Sequence, residues 1–221
     1  MNRSLPLLLA VVVTACSGGD DPAPPPEVVD RQVEETPAPP AEPEFMFRFG
    51  DSSKVAFVST KNEGVEVPGS FLGITGGLNL TDGDISTMTG DFSVALERVD
   101  TAEPARDLNI RQAVFGLAAD ASGEARVTVT RVQPGTNVLE VGGETDAQAD
   151  LDLTLLGTTT SHTAKIKVGR TSTGYTVTSL QPVELSMEAL GLGDGRAALK
   201  ERCGHTQLGD GVTVSVELAV E

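Results

Sequence analysis

The run Val212-Thr213-Val214-Ser215-Val216-Glu217-Leu218-Ala219-Val220 alternates without a break, with the valines and Leu218 on one side and Thr213, Ser215, Glu217 and Ala219 on the other. A period of two marks a strand with one dry face and one wet face. The same reading applies upstream. Ala149, Leu151, Leu153 and Leu155 alternate with Asp150, Asp152 and Thr154; Phe92, Val94 and Leu96 share one phase; and Val127 and Val129 oppose Arg126, Thr128 and Thr130. Between such runs lie the turn signals Thr81-Asp82-Gly83-Asp84, Ala121-Ser122-Gly123, Gln133-Pro134-Gly135-Thr136-Asn137 and Gly142-Gly143. No long stripe of helical period competes. The pattern predicts an all-β, antiparallel barrel or sandwich of about eight to ten strands. One short helix is expected over Arg196 to Arg202, with Asp194 capping its start, Gly204 ending it, and Lys200 and Arg202 near the negative end of its dipole.

The N-terminal part reads differently. Met1-Asn2-Arg3 precedes an apolar run from Leu5 to Val13 that ends at Val13-Thr14-Ala15-Cys16. The run is too short to span a bilayer, which takes about 20 apolar residues, and Pro6 interrupts it. Its basic start, short apolar middle and small-residue end fit an export signal. The ending resembles the bacterial lipoprotein signal, which implies removal of residues 1–15 and acylation of Cys16. Each buried methylene of an acyl chain contributes about 0.8 kcal/mol, so two or three chains anchor stably where one holds marginally. Ser17 in place of aspartate after that cysteine leans toward the outer membrane by the sorting habit of enteric bacteria, facing the periplasm.

Residues 17–44 hold eight prolines, eight acidic residues and one base, Arg31. Such a segment cannot bury enough apolar surface to offset the entropy of ordering it. It is expected to act as a stiff tether with a maximum reach of about 85 Å at about 3.1 Å per residue. That leaves residues 45–221, long enough for one domain with a sizeable core.

The whole chain carries 32 acidic and 16 basic side chains for a net charge of −16, and the excess of acid persists within 45–221. This repels nucleic acid and anionic lipid surfaces. With Cys16 acylated, Cys203 has no disulfide partner and reads as a small buried apolar residue or a lone thiol. His162 and His205 stand in ligand spacing with neither each other nor Cys203, and Asp82-Gly83-Asp84 with Asp91 lacks the glutamate and spacing of a calcium loop. Neither a Gly-x-Ser-x-Gly elbow nor a phosphate-binding glycine-lysine loop occurs. The sequence offers no basis for an enzyme, a metal or a cofactor.

The order of several patches resembles the YceI-like polyisoprenoid-binding family. Asp51-Ser52-Ser53-Lys54-Val55-Ala56-Phe57 is similar to its opening strand, and Val67-Pro68-Gly69-Ser70-Phe71 to its Gly-x-Phe second strand. Arg106-Asp107-Leu108-Asn109-Ile110 with Phe115, the hairpin Leu151 to Val168 around Gly157, and His205 to Leu218 with Leu208-Gly209-Asp210 complete the likeness. Many members carry histidine after the first strand, where this chain has Ser59-Thr60-Lys61-Asn62. The resemblance implies a lipocalin-like barrel of about eight strands with one or two short helices, holding an isoprenoid chain such as a quinone tail or a polyprenyl phosphate.

A closed antiparallel barrel of about eight strands holds one small ligand, and alternation makes its interior apolar. The inward phases nominate Phe57, Phe71, Leu80, Phe92, Leu96, Val127, Val129, Leu151, Leu153, Val214 and Val216 as the lining. Arg106 and His205 are candidates for contact with a head group, although Arg106 equally suits a structural pair with Asp107 or a carbonyl. Three functions follow: an envelope lipoprotein that stores, shields or carries an isoprenoid lipid; a structural lipoprotein whose barrel is filled by its own side chains; and an accessory that presents a quinone to a membrane redox partner. A hollow interior separates the first from the second.

Overall fold

A computed structural model describes residues 44–221. The export signal, Cys16 and the proline-rich tether lie outside the described residues. Twelve strands make one curled antiparallel sheet. In chain order they are β1 (Phe47–Arg48), β2 (Lys54–Lys61), β3 (Val65–Phe71), β4 (Ile74–Thr81), β5 (Asp84–Ala95), β6 (Val99–Asp100), β7 (Glu124–Pro134), β8 (Glu144–Leu155), β9 (Thr158–Arg170), β10 (Tyr175–Ser179), β11 (Val183–Ser186) and β12 (Leu208–Val220). Two short helices, α1 (Pro104–Asn109) and α2 (Gly193–Arg202), accompany them, with a π turn at Ile110–Val114 continuing α1.

The strands run in the order β1-β4-β5-β7-β8-β9-β10-β12-β2-β3-β6. Eight of them are brought into a ring by β1, which pairs with β4 through Phe47↔Leu78 and meets β12 through the bridge Phe49↔Val220. The Arg48 N–H donates to the Glu221 carbonyl at 2.8 Å, and the Gly50 N–H to the Ala219 carbonyl at 2.9 Å. Gly77 permits this approach, since a Cβ there would run into the Phe47 carbonyl. Strands β2 and β3 continue past β12, and β3 ends against β6.

Alternation sets the face of each residue as expected, because a strand places successive side chains on opposite sides of the sheet. Hairpin β4–β5 turns at Asp82-Gly83 and β8–β9 at Leu156-Gly157, with positive φ at both central residues in each case (53° and 72°; 48° and 86°). These are the turns whose twist matches that of the strands they join. The expected helix is α2, but its start differs: Leu192 occupies the N-cap and Asp194 lies in the first turn without a capping bond. Its end is a Schellman closure, with the Gly204 N–H on the Glu201 carbonyl at 3.1 Å and the His205 N–H on the Lys200 carbonyl at 3.0 Å. Helix α1 is held by Asp107, whose Oδ1 accepts hydrogen bonds from the Thr101 N–H at 2.9 Å and the Thr101 hydroxyl at 2.6 Å.

Candidate functional site: an apolar cavity in the barrel

The interior divides into two halves. At one end Leu80, Ile85, Leu139, Val168, Tyr175 and Val220 fill the space completely, with Ile85 and Val168 0% exposed and Phe47 set edge-on to Tyr175 at 5.3 Å. Toward the helices the strands enclose a cavity of about 280 Å³. Its walls are aliphatic and phenylalanine side chains almost throughout, Ser59, His162, Ser179 and Gly209 being the exceptions, and no Asp, Glu, Lys or Arg is among them. Small-ligand sites run to about 300–1,000 Å³, and an apolar cavity of about 150 Å³ holds benzene, so this one suits a modest length of hydrocarbon.

Each wall has a local cause. Val127 and Val129 of β7, Leu151 and Leu153 of β8, and Val212, Val214 and Val216 of β12 occupy the inward phase of their strands, border the cavity and are half-buried. Phe57, Phe71 and Phe115 form one corner, with ring centroids 5.2 and 6.1 Å apart along the series. Over the helical end, the π turn supplies Ile110 and Val114, and the segment from β11 into α2 supplies Met187, Leu190, Leu192 and Leu199. Asp210 of β12 fixes that segment: its carboxylate accepts from the Ser186 hydroxyl at 2.6 Å and the Glu188 N–H at 2.9 Å. Those hydrogen bonds, above all the one from Ser186, hold the Asp210 carboxyl below its ordinary range, with a further contribution from Arg196.

Of the residues nominated from sequence, Phe57, Phe71, Phe92, Leu96, Val127, Val129, Leu151, Leu153, Val214 and Val216 all border the cavity. Leu80 does not; it lies in the filled end, just before the Asp82-Gly83 turn, where the β4–β5 hairpin packs against Leu139 and Val168. Arg106 and His205 are also away from the cavity wall. Arg106 sits half-buried on α1 and His205 half-buried beyond the α2 terminus, where its backbone completes the helix end. No ion pair joins Arg106 to Asp107, whose Oδ1 instead accepts from Thr101. Cys203 is free and half-buried against the apolar cluster, with the Asn109 amide donating to its Sγ at 3.6 Å.

The polar residue that reasoning from sequence missed is His162. It stands on β9 opposite Leu151, facing inward in phase with Ala164, Ile166 and Val168, and its Nε2 lies 2.7 Å from the Thr160 hydroxyl. Burial pushes its pKa below the ordinary histidine value, which favours the neutral ring. The signal was present in the phase of β9, since continuing the apolar series backwards from Val168 arrives at His162. Among the described residues no group of three His, Cys, Asp or Glu side chains is arranged to hold a metal ion.

The fold has counterparts among known proteins. The model of the YceI-like domain family matches residues 50–220. The chain belongs to that family. Among solved structures, the YceI-like chain is similar to a polyisoprenoid binding domain from Saccharophagus degradans implicated in plant cell wall breakdown, with 22% identity, 80% of this chain and 99% of that chain covered, and a TM-score of 0.67. It is also similar to BcnA of Burkholderia cenocepacia (15% identity, 76% and 96% covered, TM-score 0.56) and to the YCEI protein of Campylobacter jejuni (13% identity, 70% and 85% covered, TM-score 0.51). No curated protein matches it. At these identities the structural likeness shows a shared YceI-like, lipocalin-like fold.

Proposed function

We propose that this chain is an envelope lipoprotein that binds an isoprenoid lipid inside its barrel, to store, shield or carry it. The observation that carries the reading is the cavity: about 280 Å³, walled by aliphatic and phenylalanine side chains and free of charged ones. A prenyl chain offers only methyl and methylene groups, and its transfer from water into such a space contributes roughly 25 cal/mol per Å² of apolar surface removed. The printed description of the Saccharophagus degradans relative as polyisoprenoid binding supports the same ligand class. A hollow interior favours binding over a purely structural barrel.

The rest of the proposal concerns the N-terminal segment. On this reading acylation of Cys16 tethers the domain to a membrane, the proline-rich residues 17–44 serve as the spacer, and Ser17 favours the outer membrane, facing the periplasm, over the inner one. Function as a binding protein needs neither catalysis nor a cofactor. The test is native mass spectrometry of the full chain, purified from an envelope-exporting host, followed by organic extraction. One prenyl lipid per chain supports the reading; an apo mass that persists after incubation with prenylquinones and polyprenyl phosphates overturns it.

A further inference from the structure

His162 marks a break in the barrel wall. From Ile166 to Arg170, β9 is laddered to β10, ending at Ser179↔Ile166 and the Leu180 N–H on the Lys165 carbonyl at 2.9 Å. Beyond that point β10 ends, and β11 pairs with β12 alone through Val183↔Val214 to Ser186↔Gly211. Over Thr158 to Ala164, β9 pairs with β8 alone. The two edges lie side by side with no ladder between them among the described residues. Along this seam the cavity is bordered by His162 and Ala164 on one edge and by Ser179, Val183 and Leu185 on the other.

Within this seam the chemistry is uneven. The Ser179 oxygen already accepts the Val216 N–H at 2.9 Å. His162 has one ring nitrogen on the Thr160 hydroxyl, while the other, Nδ1, has no partner among the described residues. The same side chain borders an outer groove whose other members are Thr130, Asp150, Leu151, Asp152, Ser161 and Thr163. It therefore stands where the apolar interior meets the wet surface. An imidazole at that boundary has one nitrogen open to a further hydrogen bond, which an oxygen of a lodged ligand can supply.

We infer that His162 Nδ1 hydrogen-bonds an uncharged oxygen, a carbonyl or a hydroxyl, at the polar end of the prenyl ligand, which lodges at the β9–β11 seam. This rests on the reading of the barrel as an isoprenoid site and adds the class of head group. A neutral imidazole can donate from Nδ1 to a carbonyl when Thr160 donates to Nε2, or accept from a hydroxyl in the other tautomer. A diphosphate head is disfavoured at this position. No cationic side chain borders the cavity to pair with a diphosphate.

The experiment measures the affinity of the full chain and of His162→Leu for four probes: a short-chain prenylquinone, farnesol, farnesyl diphosphate and squalene, which has no head group. Leucine keeps the wall apolar and of similar bulk, and His162→Gln provides a second variant that restores hydrogen-bonding capacity. The expected result is that His162→Leu weakens the quinone or farnesol about five- to tenfold, the scale of one hydrogen bond in an apolar site, while squalene is unchanged and His162→Gln recovers part of the loss. Loss for the quinone alone assigns a carbonyl, and loss for farnesol alone a hydroxyl. Equal affinities of wild type and His162→Leu for both, or farnesyl diphosphate as the tightest ligand of wild type, overturns the inference while leaving the barrel a lipid site. Failure of all four probes to bind the wild type overturns the lipid reading itself and the inference with it. As a readout that purely structural effects would not reproduce, the imidazole nitrogen resonances of His162, one of only two histidines in the chain, should shift on binding the headed probe and not on binding squalene.

Discussion

The two halves of this barrel are built from the same strands and the same kinds of residue, yet one is solid and the other hollow. Around Ile85, Val168 and Val220 the inward side chains of neighbouring strands meet and are 0 to 1% exposed. Around Val127, Leu153 and Val214 the same inward phase faces the cavity and leaves residues half-buried. The difference comes from what closes each end. Strand β1 draws β4 and β12 together at the solid end, and Phe47 and Phe49 pack inward there. At the other end, β10 gives way to β11, and α2 and the π turn pack over the ring through Leu199 and Val114. Dispersion contacts stabilise the first half, and the second retains unfilled room.

Truncation should break this symmetry most strongly. Ile85→Ala leaves a void in a fully packed region and is expected to cost about 3–4 kcal/mol in urea unfolding, whereas Leu153→Ala, which already borders a void, should cost about 1–2 kcal/mol. Equal costs would show that the hollow half is packed after all. Enlargement should act next, and in opposite senses. Val168→Phe overpacks the solid end at about 1–3 kcal/mol, while Val214→Phe should be tolerated or stabilising and should abolish prenyl-lipid binding by occupying the cavity.

Much of this was legible in alternation. The phase of β7, β8 and β12 places Val127, Val129, Leu151, Leu153, Val214 and Val216 on the interior wall, and the structure puts them there. Alternation assigns a face but not a depth, so Leu80, on the correct face, falls in the solid end. Counting only apolar residues hid His162, whose phase is defined by the neighbours that follow it. The ring closure by β1 joins residues more than 160 positions apart in sequence through a two-residue strand, too short to show any period. Helix α1, with six residues and no buried ones, carries no amphipathic signal either; Asp107 ties it to Thr101 and Asn109 ties it to Cys203.

A smaller effect sharpens the contrast from outside. Leu156 is about half-exposed at the β8–β9 turn with φ of 48°, a conformation that costs a non-glycine residue about 1–2 kcal/mol. Leu156→Asn should therefore raise the melting temperature without touching lipid binding, since the turn lies outside the cavity wall. The smallest effect concerns pH. Burial lowers the His162 pKa in the folded state, so the unfolded chain binds more protons between that lowered value and the ordinary histidine value of 6.5. Stability is complete above about 6.5, falls as pH drops through that window and levels off below it. His162→Gln should remove that slope, as read from unfolding midpoints between neutral and mildly acidic pH.

The most direct test of a hollow, chain-binding half beside a solid one is methyl-labelled NMR of the full chain saturated with a prenylquinone. Nuclear Overhauser contacts from prenyl protons to the methyls of Val127, Leu153 and Val214, with none to Ile85 or Val168, are the expected result. Contacts confined to exposed methyls such as Val138 and Val141, or none at all, would contradict the assignment of the cavity as the lipid site.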